Sequence, residues 1–279
     1  RGLGDVYKRQ IMKLEFICLA ALALVSCSGQ KADKEQSAAP VAQENVQEEV
    51  VRNQLTEQEK ADGWKLLFDG KTTNGWRGAH LATFPEKGWK IEDGILTVEA
   101  SDGGESTNGG DIVTNDEYSA FELSVDFKIT KGANSGIKYF VTENEKQHGS
   151  AFGLEYQILD DAVHPDAKLY TTYPGSRTLA SLYDLKKSEN GSFNGVGEWN
   201  TAVVKVFPNN HVEHWLNGKK VLEYERGSQE FKELVKGSKY AAPEYNTSGP
   251  FGEAAKGHIL LQDHGNEVSF CNIKIKELK

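Results

Sequence analysis

The feature that most limits how this chain can fold is a strict alternation of apolar and polar residues, repeated in many segments. In Phe121–Ile129 every second residue is large and apolar, so those side chains share one face of a strand. The same period of two recurs in 64–68, 89–98, 135–141, 153–159, 201–207, 211–216, 220–224, 258–262 and 268–275. Asp93-Gly94 and Asn217-Gly218 are residues that tight hairpin turns require. The chain is therefore predicted to consist mainly of antiparallel strands.

Helical signals are few and short. Thr56-Glu57-Gln58-Glu59 is a capping-box pattern for a short helix, and one further helical turn is expected at 230–235. About ten strands with Gly, Asn and Asp turns predict an all-β chain, an antiparallel β-sandwich or jelly roll. The 38% of hydrophobic residues suffice for its core. We expect one folded domain over residues 55–279.

Charge and cysteine content exclude several classes of protein. The chain has 32 Lys and Arg against 41 Asp and Glu, a net charge of −9, and no basic stripe, so no nucleic-acid partner is expected. Cys18, Cys27 and Cys271 have no paired spacing, which argues against a disulfide framework or a zinc site. Cys271 stands beside Phe270 and near Ile273, and it is predicted to be a buried thiol.

The N-terminal segment has the pattern of a targeting signal. The apolar run 16–25 is too short to span a bilayer but typical of a signal peptide, and it ends in Leu24-Val25-Ser26-Cys27, which resembles a lipobox. We interpret residues 1–27 as an artefactual leader before Met12 plus a lipoprotein signal peptide, with lipidation at Cys27. Residues 28–54 are polar and are predicted to be a flexible tether. The lipid anchor predicts a membrane partner and a cell-envelope location, outer membrane by similarity to bacterial lipoproteins, facing the periplasm or the surface.

Polar residues interrupt the strand pattern at three places. Glu155 and Gln157 share one face of a strand, Gln262 and His264 share one face of another, and His214 lies on a third. Such side chains can hydrogen-bond sugar hydroxyls, and a carboxylate with an imidazole can transfer protons. A solvated sheet face would show the same residue types, so alternation alone leaves both interpretations open.

The long strand-poor stretch 160–196 supplies further candidates. His164, Arg177 and Tyr183 lie in it, and long loops often carry function, although surface loops also collect polar residues by default. The sequence contains no Ser-His-Asp elbow, no P-loop, no dinucleotide fingerprint and no H-E-x-x-H motif.

Six motifs, in order, resemble the 3-keto-disaccharide hydrolase domain family, formerly a domain of unknown function and common in Bacteroidetes-type lipoproteins. They are Leu67-Phe-Asp-Gly70 with Gly75-Trp76, Asn134-Ser-Gly136, Glu155-Tyr-Gln-Ile-Leu-Asp160, Gly197-Glu-Trp-Asn200, His214-Trp-Leu-Asn-Gly218, and Leu261-Gln-Asp-His-Gly265 followed by Asn272-Ile-Lys-Ile275. The resemblance covers about residues 60–279 and implies a concanavalin-like jelly roll. Cys271 departs from the pattern, which implies an arginine at that position.

The resemblance implies a hydrolase that cleaves glycosidic bonds of 3-keto-glycosides, with an oxidised oligosaccharide or glycoside as substrate. A ketone at C3 acidifies the proton at C2, so proton abstraction, elimination at C1 and hydration give net hydrolysis. The paired carboxylates of ordinary glycosidases are then unnecessary, and the E-x-D-x-x-E pattern of jelly-roll glucanases is missing here. The alternative is a non-catalytic lectin-like carbohydrate-binding module, for which aromatic and amide side chains would suffice.

On this basis the site residues can be assigned roles. Glu155 and His264 are expected to be the proton-transfer pair. The residues expected to hold hydroxyls or the keto oxygen are Gln157, Gln262, His214, His164, Arg177 and Tyr183. The sequence requires no cofactor. A divalent metal ion could stabilise the enolate, with Glu155 and His264 as candidate ligands.

Overall fold

Two antiparallel β-sheets form the framework of the chain in a computed structural model, which describes residues 51–101, 104–144, 150–189 and 191–279. These residues belong to one unit, Glu49–Lys279. The predicted leader, signal peptide and lipidated Cys27, and the predicted tether up to residue 50, lie outside the described residues. None of the described helices has the length and apolar character needed to cross a membrane.

The larger sheet has eight strands and the smaller sheet has five. The strands of the larger sheet are β1 Trp64–Leu66, β3 Trp89–Glu92, β4 Ile95–Val98, β6 Phe121–Ile129, β9 Asn200–Val206, β10 His211–Leu216, β11 Lys219–Glu225 and β13 Val268–Glu277. They are arranged in the order β11-β10-β9-β6-β13-β4-β3, with β1 also paired to β13.

The strands of the smaller sheet are β2 Trp76–Gly78, β5 Ile112–Thr114, β7 Asn134–Val141, β8 Leu154–Leu159 and β12 His258–Leu261. They are arranged in the order β2-β5-β12-β7-β8.

Apolar side chains from both sheets meet in one core. Phe121 and Phe127 of β6 pack in the same cluster as Tyr139 of β7 and Tyr156 of β8, and all four are fully buried. Alternation along each strand places these residues on the inner face. This confirms the predicted all-β sandwich of the jelly-roll class.

Helices are short and lie at the edges of the sheets. α1 (Glu57–Ala61) begins with the predicted capping box. The Thr56 side chain accepts from the Glu59 backbone amide, and the Glu59 carboxylate accepts from the Thr56 backbone amide. α2 (Gln229–Lys236) contains the predicted helical turn and packs Phe231 inward. Single turns of 3-10 helix occur at Pro165–Lys168, Lys239–Ala241 and Pro243–Tyr245.

Most predicted strands are present, but two were missed. β2 and β5 have three residues each, which is too short to show a period of two. The start of the domain was also placed slightly late. Asn53 is buried and exchanges hydrogen bonds with Asn272 at 2.7 and 2.8 Å, so the end of the predicted tether belongs to the folded unit.

Cys271 is a buried free thiol, as predicted. Burial raises its pKa to about 12, with Asp126 adding to the rise and Arg52 opposing it. Cys271 and Asp126 are paired positions of β13 and β6 in the larger sheet. The position at which the family pattern implies an arginine therefore lies in the larger sheet. The guanidinium of Arg52 lies next to Cys271 at this position.

Candidate active site

A polar cavity opens on the smaller sheet, on the face opposite the core. It lies over β7 and β8 and is closed laterally by the loop around Glu105 and by the segment 239–245. We call it the Glu155 cavity. Its lining residues are Glu105, Asn134, Lys138, Ser150, Phe152, Gly153, Glu155, Gln157, Tyr183, Lys239, Tyr240, Tyr245, Gln262 and His264.

Glu155 lies at the floor of the cavity, at the second position of β8. Its neighbours Leu154 and Tyr156 point into the core, so alternation turns the carboxylate to the opposite face. Only 5% of its surface is exposed. Burial raises its pKa to about 7, and Lys138 and Lys239 only partly offset that effect. A carboxylate with such a pKa can both accept and release a proton near neutral pH.

Lys138 stands opposite Glu155 on the paired strand β7. Its ammonium donates to Asp111 Oδ2 at 3.4 Å and to the Ala151 carbonyl at 3.2 Å. Burial alone would lower the pKa of Lys138, but Asp111, Glu155 and Glu105 outweigh it and raise the pKa. Asp111 is itself fully buried, and burial raises its pKa to about 6 against the pull of Lys138. The floor of the cavity is thus a network of charges with one fixed cation.

Two glutamines present unpartnered oxygens to the cavity. Gln157 donates from Nε2 to Asn134 Oδ1 at 3.0 Å, and Gln262 donates from Nε2 to Glu105 Oε1 at 2.9 Å. The Oε1 atom of each is buried and has no hydrogen-bond partner among the described residues. A buried acceptor without a partner costs about 1–3 kcal/mol, so native structures rarely keep one without a ligand or water. Both oxygens are suited to accept hydrogen bonds from the hydroxyls of a sugar.

The loop that carries Glu105 is held by Asp263. Asp263 Oδ2 accepts from the backbone amides of Gly109 at 3.1 Å and Gly110 at 2.9 Å, and its carbonyl accepts from Ser106 at 2.8 Å. Asp263 lies between Gln262 and His264, which both line the cavity. The segment after β12 therefore supplies two cavity residues and the anchor of the opposing loop.

Aromatic residues form one wall of the cavity. The Tyr183 hydroxyl donates to Asp166 Oδ2 at 2.8 Å, which fixes the ring. Lys239 places its ammonium nitrogen 4.5 Å from the centre of the Tyr183 ring and 5.1 Å from that of Tyr240. The Tyr240 ring is stacked on Phe251 with centroids 3.8 Å apart. Such a wall can pack against the apolar face of a sugar ring.

Five of the eight predicted site residues line the cavity: Glu155, His264, Gln157, Gln262 and Tyr183. His164 lies beside it, with its ring edge against His264 at a centroid distance of 6.2 Å. His164 Nδ1 accepts from the Asp166 amide at 3.1 Å, which caps a turn of 3-10 helix. Burial lowers the pKa of His164, with Asp166 opposing and His264 adding to the shift.

The prediction that His214 contacts substrate is wrong. His214 is fully buried in the core and none of its surface is accessible. Its Nε2 is 2.8 Å from the Tyr139 hydroxyl and its Nδ1 is 2.9 Å from the Ala180 carbonyl, so both ring nitrogens are occupied. Burial lowers its pKa to about 4, which keeps the ring neutral. His214 is a structural residue.

Arg177 lies outside the cavity lining, so its predicted contact with substrate stays a prediction. Its Nε donates to Asp184 at 2.7 Å and its Nη1 to Asp166 at 2.9 Å, and it does not line the cavity. The guanidinium carbon lies 5.2 Å from the centre of the Tyr183 ring. Arg177 therefore supports the aromatic wall from behind.

Sequence reasoning missed Glu105, Lys138 and Lys239. The sequence did contain an indication for Lys138, because it lies on the same face of β7 as Asn134 and Gly136 of a family motif. Glu105 and Lys239 lie outside the regular strands, so period two gives no information about them. Their positions depend on contacts distant in sequence, such as the 2.8 Å hydrogen bond from the Lys239 amide to Asp184.

Among the described residues, no three side chains of His, Cys, Asp or Glu come close enough together in the cavity to hold a metal ion. One group of this kind occurs elsewhere in the described residues. It consists of His211, Glu213 and Glu223 on β10 and β11. Lys220 already contacts both glutamates there, at 3.2 and 2.6 Å.

Fold and cavity together define the chain as a jelly-roll domain with a polar, ligand-accessible cavity on its smaller sheet. A family profile described as the 3-keto-alpha-glucoside-1,2-lyase-like domain matches residues 63–276. The chain belongs to this family.

Known relatives agree with that assignment. A Bacteroides thetaiotaomicron protein named 3-keto-disaccharide hydrolase is 39% identical over 285 residues, covering 94% of this chain and 96% of that protein. A solved structure from Parabacteroides distasonis, described as a candidate glycosyl hydrolase, is 34% identical with a TM-score of 0.69, covering 82% of this chain and all of the other. A second such structure from that organism is 27% identical, with a TM-score of 0.53 and coverages of 77% and 99%.

Proposed function

We propose that this protein hydrolyses glycosidic bonds of 3-keto-glycosides, by abstraction of the C2 proton, elimination at C1 and hydration of the product. Family membership and the relative named 3-keto-disaccharide hydrolase support the substrate class. The observation that carries the proposal is the shared cavity of Glu155, His264 and the unpartnered oxygens of Gln157 and Gln262.

Glu155 is the base in this proposal. With a pKa of about 7, a large fraction is ionised at neutral pH, and the proton it accepts is held well enough to be returned later. The C2 proton of the substrate is acidified by the adjacent ketone, so one positioned carboxylate suffices for its removal. The electron pair left at C2 then forms the C1–C2 double bond as the glycosidic oxygen departs.

His264 is the acid for the departing oxygen. It lines the same cavity from the segment after β12, on the other side of β7 from Glu155. An imidazole can donate a proton to the leaving group and then accept one from the water that adds at C1. Net hydrolysis follows, because water adds across the double bond and the proton returns to C2.

The two glutamines and the tyrosine wall orient the sugar. Gln157 Oε1 and Gln262 Oε1 can each accept from a hydroxyl, and Tyr183 can pack against the ring. A lectin-like module would need only these groups. The buried carboxylate with a raised pKa favours an enzyme, because burying Glu155 serves no binding purpose that an amide could not fulfil at lower cost.

The test compares a 3-keto-glucoside carrying a chromogenic aglycone with its unoxidised parent. The proposal predicts aglycone release from the ketone at a rate at least 10²-fold above the parent. Equal cleavage of both would indicate an ordinary glycosidase. Binding of either sugar without any release would instead establish the carbohydrate-binding module.

We further propose that the mature protein is anchored in the cell envelope by lipid on Cys27. The lipobox-like sequence Leu24-Val25-Ser26-Cys27 supports this location. A single acyl chain binds membranes only marginally, so firm anchoring requires more than one chain on the modified cysteine.

A further inference from the structure

Lys239 is the one cavity lysine whose ammonium group has no hydrogen-bond or ion-pair partner among the described residues. Its side-chain nitrogen faces the cavity between the rings of Tyr183 and Tyr240, at 4.5 and 5.1 Å from their centres. The backbone around it is fixed, because the Lys239 amide donates to Asp184 Oδ2 at 2.8 Å. The residue as a whole remains accessible to solvent, as contact with an entering substrate requires.

Lys138, in the same cavity, differs from Lys239 because it is buried and its ammonium group has partners. Its nitrogen is held by Asp111 at 3.4 Å and by the Ala151 carbonyl at 3.2 Å. The charge of Asp111, Glu155 and Glu105 raises its pKa, so it stays a cation. Burial lowers the pKa of Lys239, the charge of Lys138 lowers it further, and Glu155 opposes. A lysine beside another cation in a partly dehydrated site is suited to react as a neutral amine.

We propose that Lys239 forms a Schiff base with the C3 carbonyl of the 3-keto sugar. This inference rests on the proposed function, since it assigns a chemical role to the ketone that defines the substrate. The geometry that supports it is a free amine, held between two aromatic faces, in the cavity that also contains the base Glu155.

The steps balance without an oxidant or a reductant. The lone pair of Lys239 Nζ adds to C3, and the resulting carbinolamine takes a proton from protonated Glu155 and loses water to give an iminium ion, which leaves Glu155 as a carboxylate. Glu155 then takes the C2 proton, and the electron pair forms an enamine with the iminium as its electron sink. The pair returns through C2 to form the C1–C2 double bond, and the glycosidic oxygen leaves with a proton from His264. Water then adds at C1 and gives a proton back to His264, while the proton on Glu155 returns to C2. A second water hydrolyses the iminium ion, which releases the free amine and the keto sugar and returns a proton to Glu155.

The experiment traps the imine. The purified protein is incubated with a 3-keto-glucoside and sodium cyanoborohydride, which reduces iminium ions far faster than ketones, and peptides are mapped by mass spectrometry. We expect a stable sugar adduct on Lys239, progressive loss of activity with adduct formation, and no adduct with the unoxidised glucoside.

Two variants sharpen the test. Lys239→Arg keeps a positive charge but cannot form an imine, so it should show no adduct at position 239 and a loss of turnover of at least about 10²-fold. Lys236→Arg is the matched control, because Lys236 is exposed on α2 and its nitrogen lies 3.8 Å from a Glu233 oxygen. This control should keep both adduct and turnover. A melting temperature near that of the wild type would show that Lys239→Arg is folded.

The outcomes separate the two proposals. Rapid aglycone release from the ketone with no adduct, or with an adduct only on other lysines, would overturn the Schiff base and leave the proposed function intact. Wild-type turnover by Lys239→Arg would also overturn it. An adduct on Lys239 without any aglycone release would support imine formation and contradict the proposed function.

Discussion

Gly136 lies directly against the carboxylate of Glu155 on the neighbouring strand. A Cβ atom at Gly136 would come 2.1 Å from Glu155 Oε1 and 2.9 Å from its carboxyl carbon. The two residues stand on paired strands β7 and β8, two positions out of direct register, because Gly136 pairs with Gln157 and Glu155 pairs with Lys138. The glycine in the motif Asn134-Ser-Gly136 is therefore required by the space that Glu155 occupies.

Gly136→Ala should displace the Glu155 carboxylate while leaving the sheet in place. We expect turnover of a 3-keto-glucoside to fall at least about tenfold, because misplaced catalytic groups lose much of their effect. Gly104→Ala is the matched control, since a Cβ there meets no atom of the described residues within 4 Å. Unchanged kinetics in a folded Gly136→Ala protein would show that the position of Glu155 does not matter.

Glu155→Gln and His264→Ala should each lower turnover by about 10²-fold or more, the usual effect of removing a positioned acid or base. Sugar affinity should be retained, because the amide and tyrosine contacts remain. The double variant should be little worse than either single one, since groups that act in one reaction are non-additive. Steady-state kinetics with binding by calorimetry measures this. Two single variants with wild-type rates would remove both residues from the mechanism.

Glu155→Gln should also change how stability depends on pH. The pKa of Glu155 is raised from 4.5 to about 7 by burial, so its protonated form favours the folded state and that contribution is lost as pH rises through about 7. Glutamine cannot ionise. The melting temperature of the variant should therefore exceed that of the wild type at pH 8, and this difference should shrink towards pH 5. A constant difference across this range would show that Glu155 ionises normally.

Which site residues could be predicted depended on the alternation of side chains between the two faces of each strand. Glu155 and Gln157 were placed correctly because Leu154, Tyr156 and Ile158 fix the inner face of β8. The same reasoning applied to β10 would have rejected His214, since Val212 and Leu216 share its face and both are core residues. A polar residue on an apolar face is more often satisfied within the core than aimed at a ligand.

The cavity wall could not be predicted in this way. Lys239 and Glu105 are positioned by hydrogen bonds to Asp184 and Gln262, which are far from them in sequence. The ion pairs of Arg177 could not be predicted either, because its two carboxylate partners, Asp166 and Asp184, come together only in the folded loop. The local residue pattern predicts the strands of the sheets, whereas loop contacts of this kind form only in the complete fold.

His214→Ala should destabilise the protein without a specific effect on catalysis. Removing the ring leaves a cavity between Tyr139 and Tyr156 and takes a partner from the Ala180 carbonyl, changes that together cost about 2–4 kcal/mol. Urea denaturation should show the loss, while the folded fraction keeps kcat/KM within a few-fold of the wild type. A stable variant with strongly reduced turnover would return His214 to the site.

Cys27→Ala should block acylation and leave the precursor unprocessed, because the lipobox-like sequence places the modified thiol at this position. Labelling of cells with a radioactive or clickable fatty acid measures the modification directly. Cys18→Ala, within the apolar run, is the matched control and should be labelled normally. Full lipid labelling of the Cys27→Ala protein would refute the predicted anchor.

The central claim is that the glycosidic bond breaks only after the C2 proton is removed. A 3-keto-glucoside carrying deuterium at C2 tests it, with the sugar product analysed by mass spectrometry at early times and corrected for exchange without enzyme. Proton abstraction by Glu155 predicts a slower release of aglycone than from the unlabelled substrate. It also predicts loss of deuterium from that share of the product in which the Glu155 carboxyl exchanges with water before the proton returns to C2. Aglycone release at an unchanged rate, with deuterium fully retained at C2, would contradict the mechanism.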